Sequence, residues 1–279
     1  MTLLQLLRIH QWLKNLMLLF PPFLSGSLGN TGSFFTLVIP LLSFCLASSS
    51  IYIINDLLDL KQDIHHPVKK RRPLPSGKIK IRSAAILACL LCFLSIWSAY
   101  HVSMNFLLVV TAYLIVSNSY SLFLKSVPLL EIFCIVAGFI LRLEAGGVAY
   151  HVLISEWLFL SVFLLALFLV SGKRLSEIMH SDGQPPEMIR PVLARYPKHF
   201  FQASINISGA AVLVTYTMYV ISHHSNILLI PLCCLGLLQY ILRVLSGRGG
   251  DPTRALLKDP LLFAIGLAWA VMVGFDIYR

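Results

Sequence analysis

Residues 34–73 read FFTLVIPLLSFCLASSSIYIINDLLDLKQDIHHPVKKRRP, and the change of character along them decides the fold. Phe34 to Ile54 carries no charged residue. A bilayer-spanning helix needs about 20 predominantly apolar residues, and this run supplies them. Asp56, Asp59 and Asp63 follow at once, and then the basic run Lys69, Lys70, Arg71 and Arg72. The stretch is a membrane helix that ends in a charged loop.

The rest of the chain repeats the pattern. Hydrophobic residues make up 57% of the 279 positions and charged residues 12%, against about 25% charged in soluble domains. That excludes a soluble enzyme, a disordered tail and a coiled coil. Apolar runs of spanning length occur near 12–29, 34–54, 82–101, 104–124, 127–145, 153–172, 200–222, 226–243 and 259–276. The expectation is an all-α polytopic membrane protein of about nine transmembrane helices, with residues 1–279 forming one integral-membrane domain. Two pseudo-repeated four-helix halves plus a ninth helix would account for that number. Pro21-Pro22 interrupts the first run, which reads as the first helix rather than a signal-peptide core.

Net charge is +10, from 22 Lys and Arg against 12 Asp and Glu. With the N-terminus cytoplasmic, 20 of those 22 fall on inner loops; Arg279 falls outside and Arg142 within a span. The positive-inside rule therefore predicts N-terminus in and C-terminus out. Charge placed this way answers to the membrane, and no nucleic-acid-binding signature accompanies it. The six cysteines all lie in apolar runs, including the Cys89-x-x-Cys92 pair, and read as small buried hydrophobes.

On a helix, Asp56, Asp59 and Asp63 stand at i, i+3 and i+7, within an arc of about 60°. Carboxylates crowded on one face repel unless a cation lies between them. Oxygen ligands without His or Cys suit Mg²⁺, which takes a few carboxylates together with substrate phosphates. Lys69–Arg72 lies within reach, so the pair of features suits a diphosphate. The plainer reading is a solvated helix end beside an ordinary basic loop. Ionisable groups at the membrane edge weigh against it. A second group, Gly172-Lys173-Arg174-Leu-Ser-Glu177, closes the sixth apolar run. Glu131 and Arg142 in the fifth run are about 16 Å apart along a helix, so each is expected to bond to a neighbouring helix.

Asn55-Asp56-x-x-Asp59-x-x-x-Asp63 resembles the first aspartate motif of the UbiA superfamily of intramembrane prenyltransferases. Arg8-x-x-Gln11-Trp12-x-Lys14-Asn15 and Tyr120-Ser-x-x-x-Lys125 are similar to family features as well. The family typically has a second aspartate motif after the sixth helix, where this chain has Lys173, Arg174 and Glu177. In that respect it resembles the polyprenyl (decaprenyl)-phosphate phosphoribosyltransferase branch. Asp63-x-x-His66-Pro67-x-Lys69-x-x-Arg72-Pro73, Glu131 and Arg142-x-x-x-Gly146-Gly147 are similar to that branch too.

The resemblance implies Mg²⁺-dependent transfer of 5-phosphoribose from phosphoribosyl diphosphate to a polyprenyl phosphate, in a bacterial plasma membrane. Asp56, Asp59 and Lys173 are the expected catalytic residues. Asn55, Asp56, Asp59 and Asp63 would hold the metal. Lys14, Asn55, Lys69, Arg72, Tyr120, Lys125, Lys173, Arg174 and Glu177 would contact substrate. Two other readings stand beside this one: prenyl transfer to an aromatic or lipophilic acceptor, and a transporter with the acids as a cation site. The sequence does not bar a homo-oligomer.

Overall fold

The computed structural model describes residues 2–30, 34–65, 69–179 and 190–279, and among them it contains helices and no strands. The helices are α1 (Thr2–Leu7), α2 (Phe20–Leu24), α3 (Phe34–Leu58), α4 (Leu60–His65), α5 (Ile81–Val102) and α6 (Met104–Leu122). They continue with α7 (Leu130–Ala149), α8 (Glu156–Met179), α9 (Phe200–Ser222), α10 (Leu229–Leu245), α11 (Pro252–Lys258) and α12 (Pro260–Tyr278). Among the described residues, α3, α5, α6, α7, α8, α9 and α12 are long and apolar enough to cross a membrane, and α10 is a shorter apolar helix. The chain is an integral membrane protein.

The run expected to span at 12–29 is not one helix. Ile9–Leu19 is a 3-10 segment, α2 is short, and a further 3-10 turn covers Leu28–Asn30. Pro21 and Pro22 remove two backbone donors at the break. Upstream, side chains fasten the segment to α3 at fixed points: Trp12 Nε1 donates to Ser49 Oγ at 3.0 Å, and Asn15 Nδ2 to Ser48 Oγ at 3.1 Å. Ser49 in turn donates to the Leu7 carbonyl at 2.9 Å.

The residues group into two compact units. The first contains residues 1–22, 27–124 and 141–153; the second contains 23–26, 125–140 and 154–279. In the first, α3 and α5 meet through small residues, because helices in lipid associate by close packing and interhelical bonds. Ser43 and Ser95 each donate to the other's carbonyl at 2.9 Å, and Ser50 donates to the Ala88 carbonyl at 2.8 Å. Phe44, Phe106, Val110 and Tyr113 fill the space beside them. Ser103, the single residue between α5 and α6, caps α6 by accepting from the Phe106 N–H at 3.0 Å. In the second unit, Phe168, Ile205, Val212 and Tyr240 form the corresponding core.

Gly146 shows how tightly the 3-10 segment is seated. A Cβ there would lie 2.2 Å from the Leu18 carbonyl oxygen, and Leu18 is wholly buried. Gly146→Ala must push the segment off α7, at a cost of about 1–3 kcal/mol. A lowered melting midpoint in detergent is expected; an unchanged one contradicts the packing.

Candidate active site

Among the described residues, charged side chains cluster in both units. In the first unit α3 ends at Leu58, yet helical bonding continues around the joint. The Asp59 N–H donates to the Asn55 carbonyl and the Asp63 N–H to the Asp59 carbonyl, both at 2.9 Å. The spacing read from sequence therefore survives the break, and Asp56 and Asp63 face the same way. Both are buried. Arg72 Nη1 lies between them, 3.1 Å from Asp56 Oδ1 and 2.6 Å from Asp63 Oδ2. Arg8 donates to Asp56 from the opposite end of the sequence, and Lys69 Nζ is 3.6 Å from Asp63 Oδ1. Arg8 reaches this position from a left-handed backbone conformation (φ 51°) that turns the chain between α1 and the 3-10 segment.

Three converging carboxylates were expected here, and the arrangement differs. Asp59 accepts from Asn55 Nδ2 at 3.0 Å, one helical turn back, and this draws its carboxylate toward Asn55. Among the described residues no group of three or more His, Cys, Asp or Glu side chains is placed to hold a metal. The donor set nevertheless fits a hard divalent cation. Two buried carboxylates already flank one position where a positive charge sits, with a carboxylate and an amide one turn away. His66 and Pro67 of the motif lie outside the described residues.

The second cluster is built on α7 and α8. Arg174, expected from the sequence to contact substrate, is held inside the protein. It is 1% exposed and Glu131 is 0%. Its guanidinium grips the Glu131 carboxylate through Nε at 3.0 and 3.1 Å and Nη2 at 2.7 Å, and Nη1 donates to Glu177 at 2.9 Å. Arg190 lies 3.8 Å from the same Glu177 oxygen. The bidentate geometry explains why an arginine stands here, since a lysine has no such fork. Lys173, next along α8, points elsewhere and meets Asp251 at 3.2 Å. Asp259, between α11 and α12, has its carboxyl held below the usual carboxylate range. Burial acts the other way there, but bonds from the Leu262 N–H, Arg243 and Gln239 outweigh it.

The remaining candidates are more scattered. Lys14 is half-buried in the 3-10 segment, Tyr120 half-buried near the end of α6, and Lys125 half-buried in a short turn at Leu124–Ser126. Arg142 is buried; its Nε donates to Asn15 Oδ1 at 2.8 Å and Nη2 to the Tyr113 hydroxyl at 2.9 Å, with the guanidinium 4.8 Å from the Tyr113 ring. It joins α6 and α7 to the 3-10 segment. Two contacts had no signal in the sequence. Arg8 and Asp56 are 48 residues apart and Lys173 and Asp251 78 apart, so neither pairing has a spacing to announce it.

Charged clusters near the ends of apolar helices suit an intramembrane transferase. Residues 18–266 match the UbiA prenyltransferase family, and the chain belongs to it. It is 30% identical over 295 residues to decaprenyl-phosphate phosphoribosyltransferase of Mycolicibacterium smegmatis, covering 99% of this chain and 92% of that protein. It is also 30% identical to the Corynebacterium glutamicum protein of the same name, over 98% of this chain and 85% of that one. By contrast, 4-hydroxybenzoate octaprenyltransferase of Vibrio atlanticus is 36% identical over only 33% of each protein. The fold is similar to a UbiA homologue from Archaeoglobus fulgidus solved with GPP and Mg²⁺. The TM-score is 0.77 at 20% identity, covering 100% of this chain and 99% of that one.

Proposed function

We propose that the protein transfers 5-phosphoribose from phosphoribosyl diphosphate to a polyprenyl phosphate and releases diphosphate. One observation carries this reading above the others. The end of α8 offers an ammonium, Lys173, and an arginine neutralised by Glu131, where an enzyme with two metal-bound aspartate motifs needs carboxylates. Full-length similarity to phosphoribosyltransferases supports the same choice over aromatic prenyl transfer. A transporter would place its ionisable residues near mid-membrane in discontinuous helices, whereas Asp56 and Lys173 lie near the ends of α3 and α8.

In this scheme Asp56 and Asp63 would hold Mg²⁺, with Asn55 and Asp59 beside them. When bound, the metal would offset the charge of the departing diphosphate. Arg72 and Lys69 would turn from the aspartates to the diphosphate oxygens, and Arg8 would keep Asp56 ionised and in place. Lys173 would bind a further oxygen of the donor's diphosphate, and Glu131 and Glu177 would fix Arg174 so that α8 presents Lys173 at one height. Lys14, Tyr120 and Lys125 are assigned to the lipid head group.

The C1–O bond to diphosphate breaks with its electron pair leaving on the diphosphate, and a bond forms from C1 to an oxygen of the lipid phosphate. That oxygen is already anionic, so no side chain need take a proton. The residues act by position and charge. The N-terminus and both clusters would be cytoplasmic and the C-terminus external, in a single functional domain built from the two units.

Ribose-labelled phosphoribosyl diphosphate incubated with polyprenyl phosphate, Mg²⁺ and pure protein should yield label extractable as lipid. Label that stays water-soluble overturns the proposal.

A further inference from the structure

The chain between α10 and α12 is built to hold one carboxylate beside Lys173. Arg243, on α10, ties this connection at both ends. Its Nε donates to the Gly249 carbonyl at 3.2 Å, Nη2 to the Arg248 carbonyl at 2.9 Å and Nη1 to Asp259 at 3.1 Å. The buried Tyr240 hydroxyl donates to the Gly250 carbonyl at 2.7 Å. Gly250 rests directly on α8: a Cβ there would come within 2.6 Å of the Gly172 carbonyl and 2.8 Å of Ser176 Cβ. The next residue is Asp251, and its two oxygens have separate tasks. Oδ1 accepts from the Arg254 N–H at 3.1 Å, capping α11, and Oδ2 accepts from Lys173 Nζ at 3.2 Å.

The Lys173 side chain is 38% exposed and that of Asp251 24%. Ion pairs this open to solvent contribute about 0–1 kcal/mol, so stability does not account for so much supporting structure. Placement does. A lysine side chain carries about 2 kcal/mol of rotamer entropy, and a carboxylate anchored to the loop limits where its ammonium stands. An ammonium has three donors. The Asp251 bond uses one, so the same nitrogen can hold Asp251 and a phosphate oxygen together.

We infer that Asp251 is a positioning residue that sets the Lys173 ammonium for a substrate phosphate, with Tyr240, Arg243 and Gly250 fixing the loop that carries it. This rests on Lys173 binding donor phosphate, as proposed above.

Asn caps helices about as well as Asp, so Asp251→Asn removes the counter-charge and keeps α11 capped. Wild type, Asp251→Asn, Lys173→Met and the double variant would be compared in full-length detergent-solubilised protein. The measurements are KM and kcat for phosphoribosyl diphosphate, equilibrium binding of inorganic diphosphate with Mg²⁺, and melting midpoint. Asp251→Asn should raise KM and the diphosphate Kd several-fold, leave kcat within about twofold, keep the midpoint, and add nothing to Lys173→Met. Tyr240→Phe, which loosens the loop without touching either charge, should raise KM in the same direction.

Wild-type KM and diphosphate binding in Asp251→Asn would overturn the inference, and so would losses that add fully in the double variant. If wild type transfers no phosphoribose, the functional reading fails, while the diphosphate-binding cycle still decides the role of Asp251.

Discussion

Asp56→Asn should lower turnover by a factor of about 100 or more, the scale seen when one preorganised electrostatic contact to a reacting centre is removed. The carboxylate is buried against Arg8 and Arg72. Asparagine keeps the shape but gives neither a guanidinium nor a divalent cation a negative partner. Asp63→Asn should act alike, because Arg72 Nη1 bonds both carboxylates. Asp59→Asn should cost less, since Asp59 is half-buried and turned toward Asn55. Turnover with phosphoribosyl diphosphate and polyprenyl phosphate checks all three, alongside melting midpoints that separate chemistry from folding. Asp56→Asn with wild-type turnover would remove this cluster from the reaction.

The second large effect falls on stability. Glu131 and Arg174 form an ion pair with side chains 0% and 2% exposed. Breaking a buried pair from one side costs about 3–5 kcal/mol, because the remaining charge stays buried. Glu131→Leu should therefore lower the melting midpoint by about 10 °C in a chain of this size. Glu131→Leu with Arg174→Met removes both charges at similar volume and should regain most of that loss. A double variant no more stable than the single one would mean that the pair is worth more than its desolvation. Restored stability with reduced turnover would show that its purpose is to place α8.

The fold was legible because its governing rule is composition read over a window. Continuous apolar runs near Phe34–Leu58, Ile81–Val102 and Glu156–Met179 leave no choice but helices. The N-terminal run misled because hydropathy averages over Pro21-Pro22 and does not register that Trp12 and Asn15 are committed to serines of α3. Asp56 and Asp63 were legible because helical periodicity is local. The charge of Arg174 is visible in sequence, whereas its partner Glu131, 43 residues away, is set only by how α7 and α8 pack. The pairing of Lys173 with Asp251, 78 residues apart, is hidden from the sequence for the same reason. Patterns within one helix can be read from spacing, but pairings between helices depend on packing.

The central claim is the choice of donor, and one competition measures it most directly. Pure protein in lipid nanodiscs with Mg²⁺ would receive phosphoribosyl diphosphate, polyprenyl phosphate, a prenyl diphosphate and an aromatic acid together, with the lipid products separated by mass. Polyprenyl-phosphate-linked phosphoribose as the dominant product is the predicted result. A prenylated aromatic acid, with no phosphoribosyl lipid, would contradict it.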